Sequence, residues 1–416
     1  MIEVEDVRLT LDHCVKCNIC TTFCPVANVT TLFPGPKYVG PQAERFRGAG
    51  GAGGTGVSPD ASLDYCSGCG ICTQVCPQGV KIAEINTRAR AKMVGGKISL
   101  RNRLIARPAM LGQISQPIAP LANLTLGLPP VRWLMEAVLG IHHEAPLPKF
   151  SARSFQGWAR RHPAPAEARR TVVYFHGCSA NYYEPEVGQA AVAVLERNGC
   201  KVIIPPQGCC GLPLQSNGDF ESARRYARDL VGRLWPYVEQ GFDVVASSTS
   251  CGLMLKREYR EILGLDSPDF QRVSEHTYDI CEYLRDLHEQ GELDTNFRPL
   301  NQTVPYHAPC QQKAHGMGRP ALDLLGLIPG LRVIEMTADC CGTAGTYGYK
   351  REKYGIAMAV GDKLFRDIRE TAAERSVCDS ETCRWQIAHG TGRPSVHPIQ
   401  LLAQAYGWST LGKDEG

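Results

Sequence analysis

Two stretches of twelve residues, CVKCNICTTFCP from Cys14 and CSGCGICTQVCP from Cys66, carry the same pattern of thiols. Each sets four cysteines at C-x2-C-x2-C-x3-C and follows the fourth with proline, Pro25 or Pro77. Three thiolates on one tight loop cap one face of a 4Fe–4S cubane, and the fourth cysteine reaches across to a second cluster. On that rule one cluster takes Cys14, Cys17, Cys20 and Cys76, and the other takes Cys66, Cys69, Cys72 and Cys24. The proline withholds an amide and turns the chain away. A pair of zinc sites is the competing reading, but four-cysteine zinc sites use two C-x2-C knuckles separated by a longer gap.

The remaining thiols pose a different problem. Cys209–Cys210 and Cys340–Cys341 are adjacent pairs, each followed by glycine. Chain neighbours cannot easily meet the geometry of a disulfide, whereas each member of a pair can bind a different metal atom. The following glycine is expected to let the backbone pass close to the cluster. The pairs therefore point to multi-iron clusters rather than a bridge or a single zinc, with reduced structural thiols as the plain alternative. Single cysteines flank them at matching intervals. Cys178 and Cys310 precede the pairs by 31 and 30 residues, and Cys251 and Cys383 follow by 41 and 42. The candidate metal ligands here are Cys178, Cys209, Cys210, Cys251, Cys310, Cys340, Cys341 and Cys383.

Three cysteines are left over. Cys200 and Cys281 fall within apolar or helical patterns and read as small core residues. Cys378, five residues before Cys383, is a candidate fifth ligand. His176 and His307 stand just ahead of the first cysteine of each set. Their roles are open between a hydrogen bond to cluster sulfur, proton transfer, and simple satisfaction at a strand end.

The matching intervals mark an internal duplication over residues 171–408. β-branched runs such as TVVYF and KVII precede the cysteine elements. Helical patterns such as ESARRYARDLVGRLWPYVEQG and EKYGIAMAVGDKLFRDIRETAAE fill the gaps. This alternation predicts a mostly parallel α/β sheet in each half, with the ligands in loops at strand ends. The halves close alike, with His276 before TYDICEYL and His397 before PIQLLAQA. The expected fold class is α+β multidomain. A helical two-cluster module over 1–97 and a connecting segment over 98–165 precede two tandem related α/β cysteine-rich domains, over 166–298 and 299–416. The glycine-rich FRGAGGAGGTGVSPD between the first two cysteine runs reads as a linker, having neither a strand before it nor Gly-Lys-Ser/Thr after it.

Composition narrows the setting. A net charge of +3 over 416 residues gives no reason to expect nucleic acid. Nineteen cysteines behind MIEVEDVRLT, which has no apolar signal segment, predict reduced thiols in the cytoplasm, available to metal. No uninterrupted apolar run reaches the ~18 residues of a spanning helix. From Ile85 to Met135 there is no Asp or Glu. Arg88, Arg90, Lys92, Lys97, Arg101, Arg103 and Arg107 crowd its first half. Apolar pieces broken by Pro117, Pro120, Pro129 and Pro130, and carrying Leu128, Trp133 and Leu134, follow. Such a segment fits an anionic membrane surface; packing between domains is the alternative.

Together with PGPKYVGPQAERFR, FHGCSANY, CCGTAGTYGYKREKY and ETCRWQI, the doubled cysteine runs and CCG repeats resemble the family of the iron–sulfur electron-transfer subunit of anaerobic glycerol-3-phosphate dehydrogenase. The iron–sulfur subunit of glycolate oxidase and the cysteine-rich subunits of heterodisulfide reductase are similar in architecture. The resemblance covers nearly the whole chain: a ferredoxin-like module followed by two CCG domains. It implies two 4Fe–4S clusters, one or two further iron–sulfur clusters in the CCG domains, and flavin-containing dehydrogenase subunits as partners. It also implies menaquinone as electron acceptor and a peripheral position on the cytoplasmic face of the inner membrane. The chain would then be an oxidoreductase subunit that does not oxidise the substrate itself, consistent with its lack of a Rossmann glycine fingerprint. No catalytic residue is assigned. A glycolate or lactate oxidase subunit, a disulfide-reducing subunit and a structural zinc protein are the rival readings. The fullest form of the family motif ends in C-x-x-C, where this chain has Ser248 in STSC and Ser380 in SETC.

Overall fold

The β-branched runs form strands whose central members are mostly buried, as parallel strands covered on both faces are, while the edge strands after Gly199, Gly330 and Pro394 are largely half-buried or exposed. In the computed structural model, which describes residues 9–48, 60–163, 165 and 167–408, they make two four-stranded sheets. The first contains β1 (Arg170–Phe175), β2 (Cys200–Ile203), β3 (Asp243–Ala246) and β4 (Thr277–Asp279), in the order β2-β1-β3-β4. The second contains β5 (Gln302–His307), β6 (Leu331–Glu335), β7 (Ser376–Cys378) and β8 (Ser395–Val396), in the order β6-β5-β7-β8. Every pairing is parallel; Val173, for example, lies opposite both Ile203 and Val244. In each sheet the chain leaves the first strand to one side and returns on the other. The carboxyl ends of β1 and β3, and of β5 and β7, therefore flank a topological switch point, where such sheets hold ligands.

The two sheets share a core. Val172 and Tyr174 of β1 and Val304 and Tyr306 of β5 belong to one buried apolar cluster. The helix Pro185–Arg197 of the first repeat packs on Pro398–Ala405 of the second, and Ile280–Glu289 packs on Pro320–Leu325. The outer faces are closed by Phe220–Val238 and Arg351–Glu370. Each inner helix lies on its own repeat's sheet and packs against a helix of the other repeat, so the inner faces are closed jointly.

Asp279 and His397 hold equivalent N-cap positions in the closing helices, each completing a capping box, with Glu282 and Gln400 respectively. His276 is therefore not the counterpart of His397. It ends the preceding helix Pro268–Glu275 as its C-cap, and its ring bonds the Asp243 carboxylate at 2.9 Å.

In the N-terminal module both cysteine runs need left-handed backbone at the same two places. Gly68 and Gly70 supply it in the second run (φ 71° and 81°), Lys16 and Asn18 in the first (φ 61° and 73°). The helix Ile82–Val94 then buries Ile82, Ala83, Ile85 and Ala89 against the two runs. The glycine-rich stretch 49–59 lies outside the described residues.

The connecting segment is a chain of short helices, Leu100–Ile105, Pro108–Ser115, Ala119–Gly127 and Pro129–Leu139. Its prolines start helices rather than break them, the position where a missing N–H costs nothing. Ile114, Leu121, Leu124, Leu134 and Val138 point to solvent, with Val138 70 % exposed. No helix of the described residues is long and apolar enough to cross a membrane. The segment ends earlier than 165. Phe155, on the helix Phe155–Ala159, is fully buried against Tyr174 and the first repeat's core, so this helix belongs to that repeat.

Candidate metal centres

All nineteen cysteines are free thiols. Cys14, Cys17, Cys20 and Cys76 line one small cavity with Pro77 and Ile82. Cys24, Cys66, Cys69 and Cys72 line another with Pro25 and Phe33. The fourth cysteine of each run thus sits with the first three of the other. Cys17 is exposed, whereas Cys69 and Cys72 are buried. Burial pushes the Cys24 thiol up to about 11, and raises those of Cys69 and Cys72 as well. A soft cation that binds thiolates offsets the cost of ionising such groups, and the all-sulfur donor set suits iron–sulfur clusters.

The eight repeat cysteines meet at one place. Cys178, the pair Cys209–Cys210 and Cys251 follow β1, β2 and β3; Cys310, the pair Cys340–Cys341 and Cys383 follow β5, β6 and β7. All eight line a single enclosed cavity of about 160 Å³, and the loop of the Cys66 run brings Cys69 to its wall. Cys69 packs directly against Cys310 and Cys340. Cys341 and Cys383 bring their sulfurs to 3.1 Å. In each repeat the first cysteine of the pair is held well below the usual thiol range. Cys209 owes this to hydrogen bonds from Cys178 and Cys210, and Cys340 to those from Cys310 and Cys341, against the opposing effect of burial. The glycine amide adds to it, Gly211 N–H reaching Cys209 Sγ at 3.5 Å and Gly342 N–H reaching Cys340 Sγ at 3.3 Å.

The glycine itself has a different reason from the one the sequence suggests. Gly342 has φ of 91°, and a Cβ there would lie 1.9 Å from the carbonyl oxygen of Ala357. It is the covering helix Arg351–Glu370, rather than a cluster, that comes too close. Gly211 shares the left-handed φ, 87°, but its Cβ would have ordinary room.

The two histidines part company. Tyr174 and Tyr306 are equivalent, their hydroxyls bonding Ser247 at 2.6 Å and Asp379 at 2.7 Å. His307 therefore corresponds to Phe175, and His176 to Ala308. His307 is buried beside Cys383 and helps lower its thiol, after Cys341 and Cys378. His176 instead bonds Gly177 O at 2.6 Å and sits on the edge of Phe155, with burial pulling it down to about 4.

Cys378 ends β7 fully buried within hydrogen-bond reach of Cys383 but does not line the cavity. Ser248 spends its hydroxyl on capping and on Glu381 at 3.0 Å, while Ser380 faces the cavity. Cys200 and Cys281 are buried in the shared core.

Several site residues were not visible in sequence. Arg90, read there as a surface cation, is buried and donates to the Cys66 carbonyl, and to Ser216 O at 3.1 Å. Its spacing from buried Asn86, one helical turn earlier, was the available signal. Arg88 donates to the Glu261 carbonyl, Arg101 pairs with Glu352 at 2.7 Å and Arg107 with Asp219 at 3.6 Å. Only Lys92, Lys97 and Arg103 of the seven cations are exposed. Arg90 is buried and Arg88, Arg101 and Arg107 are half-buried on partners within the protein, so only part of the basic half is free to face an anionic surface. Lys353 holds Asp64 at 2.5 Å, and Glu184 joins the repeats by accepting from Arg384 and from Trp385 Nε1.

Fold and site together define a class: an iron–sulfur protein with a dicluster module and a doubled cysteine-rich domain. Residues 10–80 match the family model for a 4Fe-4S dicluster domain, and residues 172–256 and 304–388 match that for a cysteine-rich domain. The chain belongs to the family of the iron–sulfur subunit of anaerobic glycerol-3-phosphate dehydrogenase. It is 40% identical to a subunit of that dehydrogenase from Escherichia coli K12, over 95% of this chain and 98% of the relative. It is also 27% identical to the glycolate oxidase iron-sulfur subunit of the same organism, over 95% and 94%. A subunit of the dihydromethanophenazine:CoB–CoM heterodisulfide reductase of Methanosarcina barkeri is 25% identical over 97% and 95%.

Proposed function

We propose that this chain is the electron-transfer subunit of a glycerol-3-phosphate dehydrogenase complex. It takes electrons from a flavin-containing partner, delivers them to menaquinone, and tethers the complex peripherally to the cytoplasmic face of the inner membrane. The observation that carries this reading is the spatial order of the thiol sets. Cys17 is at the surface, the Cys24, Cys66, Cys69 and Cys72 set lies deeper, and Cys69 packs against Cys310 and Cys340.

Cys14, Cys17, Cys20 and Cys76 would hold one 4Fe–4S cluster and Cys24, Cys66, Cys69 and Cys72 the other. The four cysteines of each repeat would hold further iron. Bound there, iron–sulfur clusters supply one-electron steps between a two-electron flavin and a two-electron quinone. The chain's own residues keep water out and tune the sulfurs. Gly211 and Gly342 donate amides to Cys209 and Cys340, which favours the thiolate. Around Cys17, Val15, Phe23 and Leu32 form an exposed apolar surface suited to a partner subunit. At the connecting segment, Ile114, Leu121, Leu124 and Leu134 form a second one, suited to lipid. The substrate assignment is supported by the 40% identity to a subunit of a dehydrogenase of that name.

In the intact complex, glycerol 3-phosphate should reduce the iron–sulfur clusters of this chain, read as a change in their paramagnetic signals, and menaquinone in added vesicles should reoxidise them. Reduction by glycolate or lactate in its place, or no response to the quinone, overturns the reading.

A further inference from the structure

A second cavity, of about 430 Å³, is formed by the helices Ala119–Gly127 and Pro129–Leu139 and the turn that follows them, on the segment that exposes Leu124, Leu134 and Val138. Its volume suits a small organic ligand. Trp133 stacks on His143 there, with ring centroids 3.6 Å apart. His143 commits Nδ1 to the Glu136 carboxylate at 2.5 Å, and this bond holds Glu136 below the usual carboxylate range. Nε2 is the nitrogen left for a ligand. Arg132 lines the same cavity and donates to the carbonyls of His142, His143 and Ala145, with the Glu144 carboxylate also in the wall. A further histidine of the wall, His389, shares a 2.8 Å hydrogen bond with the Tyr354 hydroxyl.

The cavity is joined to the thiols by short stretches of rigid structure. His389 lies on the helix Glu381–Thr391, six residues beyond Cys383, which is about 9 Å of helical rise. His142 N–H donates to Tyr349 O at 2.9 Å. Tyr349 is buried close enough to Glu381 and Cys341 for their charges to add to the effect of burial on its hydroxyl.

We propose that this cavity is the quinone-reducing site, receiving the ring of a lipid quinone against Trp133, with His143 and His389 supplying its protons. The inference rests on the electron-delivery reading above and adds the place and the proton donors. One quinone takes two electrons, which iron–sulfur clusters held by the cysteines of this chain would supply one at a time, and two protons, and becomes a hydroquinone. The protons leave His143 and His389 and are replaced from water. Arg132 favours the build-up of negative charge on the ring oxygens as electrons arrive. The exposed leucines beside the cavity give the isoprenoid tail an apolar path into it.

The test uses the full-length holoprotein, prepared anaerobically, with menadione as the probe. Equilibrium binding is read from quenching of tryptophan fluorescence, and reoxidation of the dithionite-reduced protein is followed after mixing with menadione or with ferricyanide. His143→Gln and His389→Phe should each slow reoxidation by menadione at least tenfold, and Trp133→Ala should weaken menadione binding at least tenfold. Ferricyanide, which needs no cavity, should reoxidise all three within twofold of the parent rate. If the variants bind menadione and are reoxidised by it like the parent, the quinone site lies elsewhere and this inference is overturned while the electron-delivery reading stands. If the parent itself is reoxidised by ferricyanide but neither by menadione nor by menaquinone in vesicles, both fall.

Discussion

A methyl group at position 342 would meet the Ala357 carbonyl oxygen at 1.9 Å, whereas at position 211 its nearest contact would be 3.4 Å. Both glycines hold a left-handed φ, which costs an alanine about 1–2 kcal/mol. Gly211→Ala should therefore lower stability by about that much, and Gly342→Ala by clearly more, with loss of iron from the second repeat. Thermal unfolding midpoints and iron content check this; equal losses in both would contradict it. Glu258 gives a second prediction. Burial raises its carboxyl to about 7, against the hydrogen bond from Gln215 and with help from Glu84 and Glu261. Between about 4.5, its ordinary value, and about 7, the folded protein keeps this proton while the unfolded chain has released it. The folded state then binds more protons, so this group makes stability fall as pH rises through that window. Glu258→Gln should flatten the fall, seen as a smaller change in unfolding midpoint between pH 5 and pH 7. Neither feature was legible beforehand. A CCG triplet announces that glycine is needed, but the helix that enforces it at Gly342 is a tertiary neighbour. Cysteine spacing is local, and for that reason the thiols that line each cavity of the N-terminal module could be grouped without coordinates.

Elements tell a similar story at larger size. The strand–helix alternation and the duplication were readable because β-branched runs and helical periodicity are properties of short windows. The packing of helices across the two repeats was not, since Pro185–Arg197 carries no mark of packing on Pro398–Ala405. The connecting segment is the clearest case. Its cations could be counted, but whether each faces solvent depends on acids far away in sequence, Asp219 for Arg107 and Glu352 for Arg101. Attachment to lipid should therefore be dominated by the apolar face. Replacing Leu121, Leu124, Leu134 and Val138 together by serine should weaken binding to phospholipid vesicles at least a hundredfold, since a buried Leu or Val side chain contributes about 1.5–3 kcal/mol. Charge reversal at Arg101 or Arg107 should instead lower the unfolding midpoint, by about 1 kcal/mol or less, and leave vesicle affinity almost unchanged. Residual salt dependence should track Lys92, Lys97 and Arg103. Sedimentation with vesicles at low and high salt distinguishes these outcomes; binding that survives the serine set would mean that lipid contacts another face.

On the scale of the whole molecule, two parallel sheets are set so that both switch points open on one enclosed cavity, and the N-terminal module closes its third side with Cys69. Apolar side chains are exposed near Cys17, at Val15 and Phe23, and along the connecting segment, at Leu121, Leu124, Leu134 and Val138. On the proposed reading all four thiol sets hold iron together. Iron and acid-labile sulfide in the anaerobically purified full-length chain test that claim most directly, alongside Cys340→Ser/Cys341→Ser. The parent should contain the roughly eight irons of two cubanes and additional iron beyond them, and the double variant should lose part of that excess while keeping the two cubanes. Stoichiometric zinc in place of iron, or iron and spectra unchanged in the variant, would contradict the account.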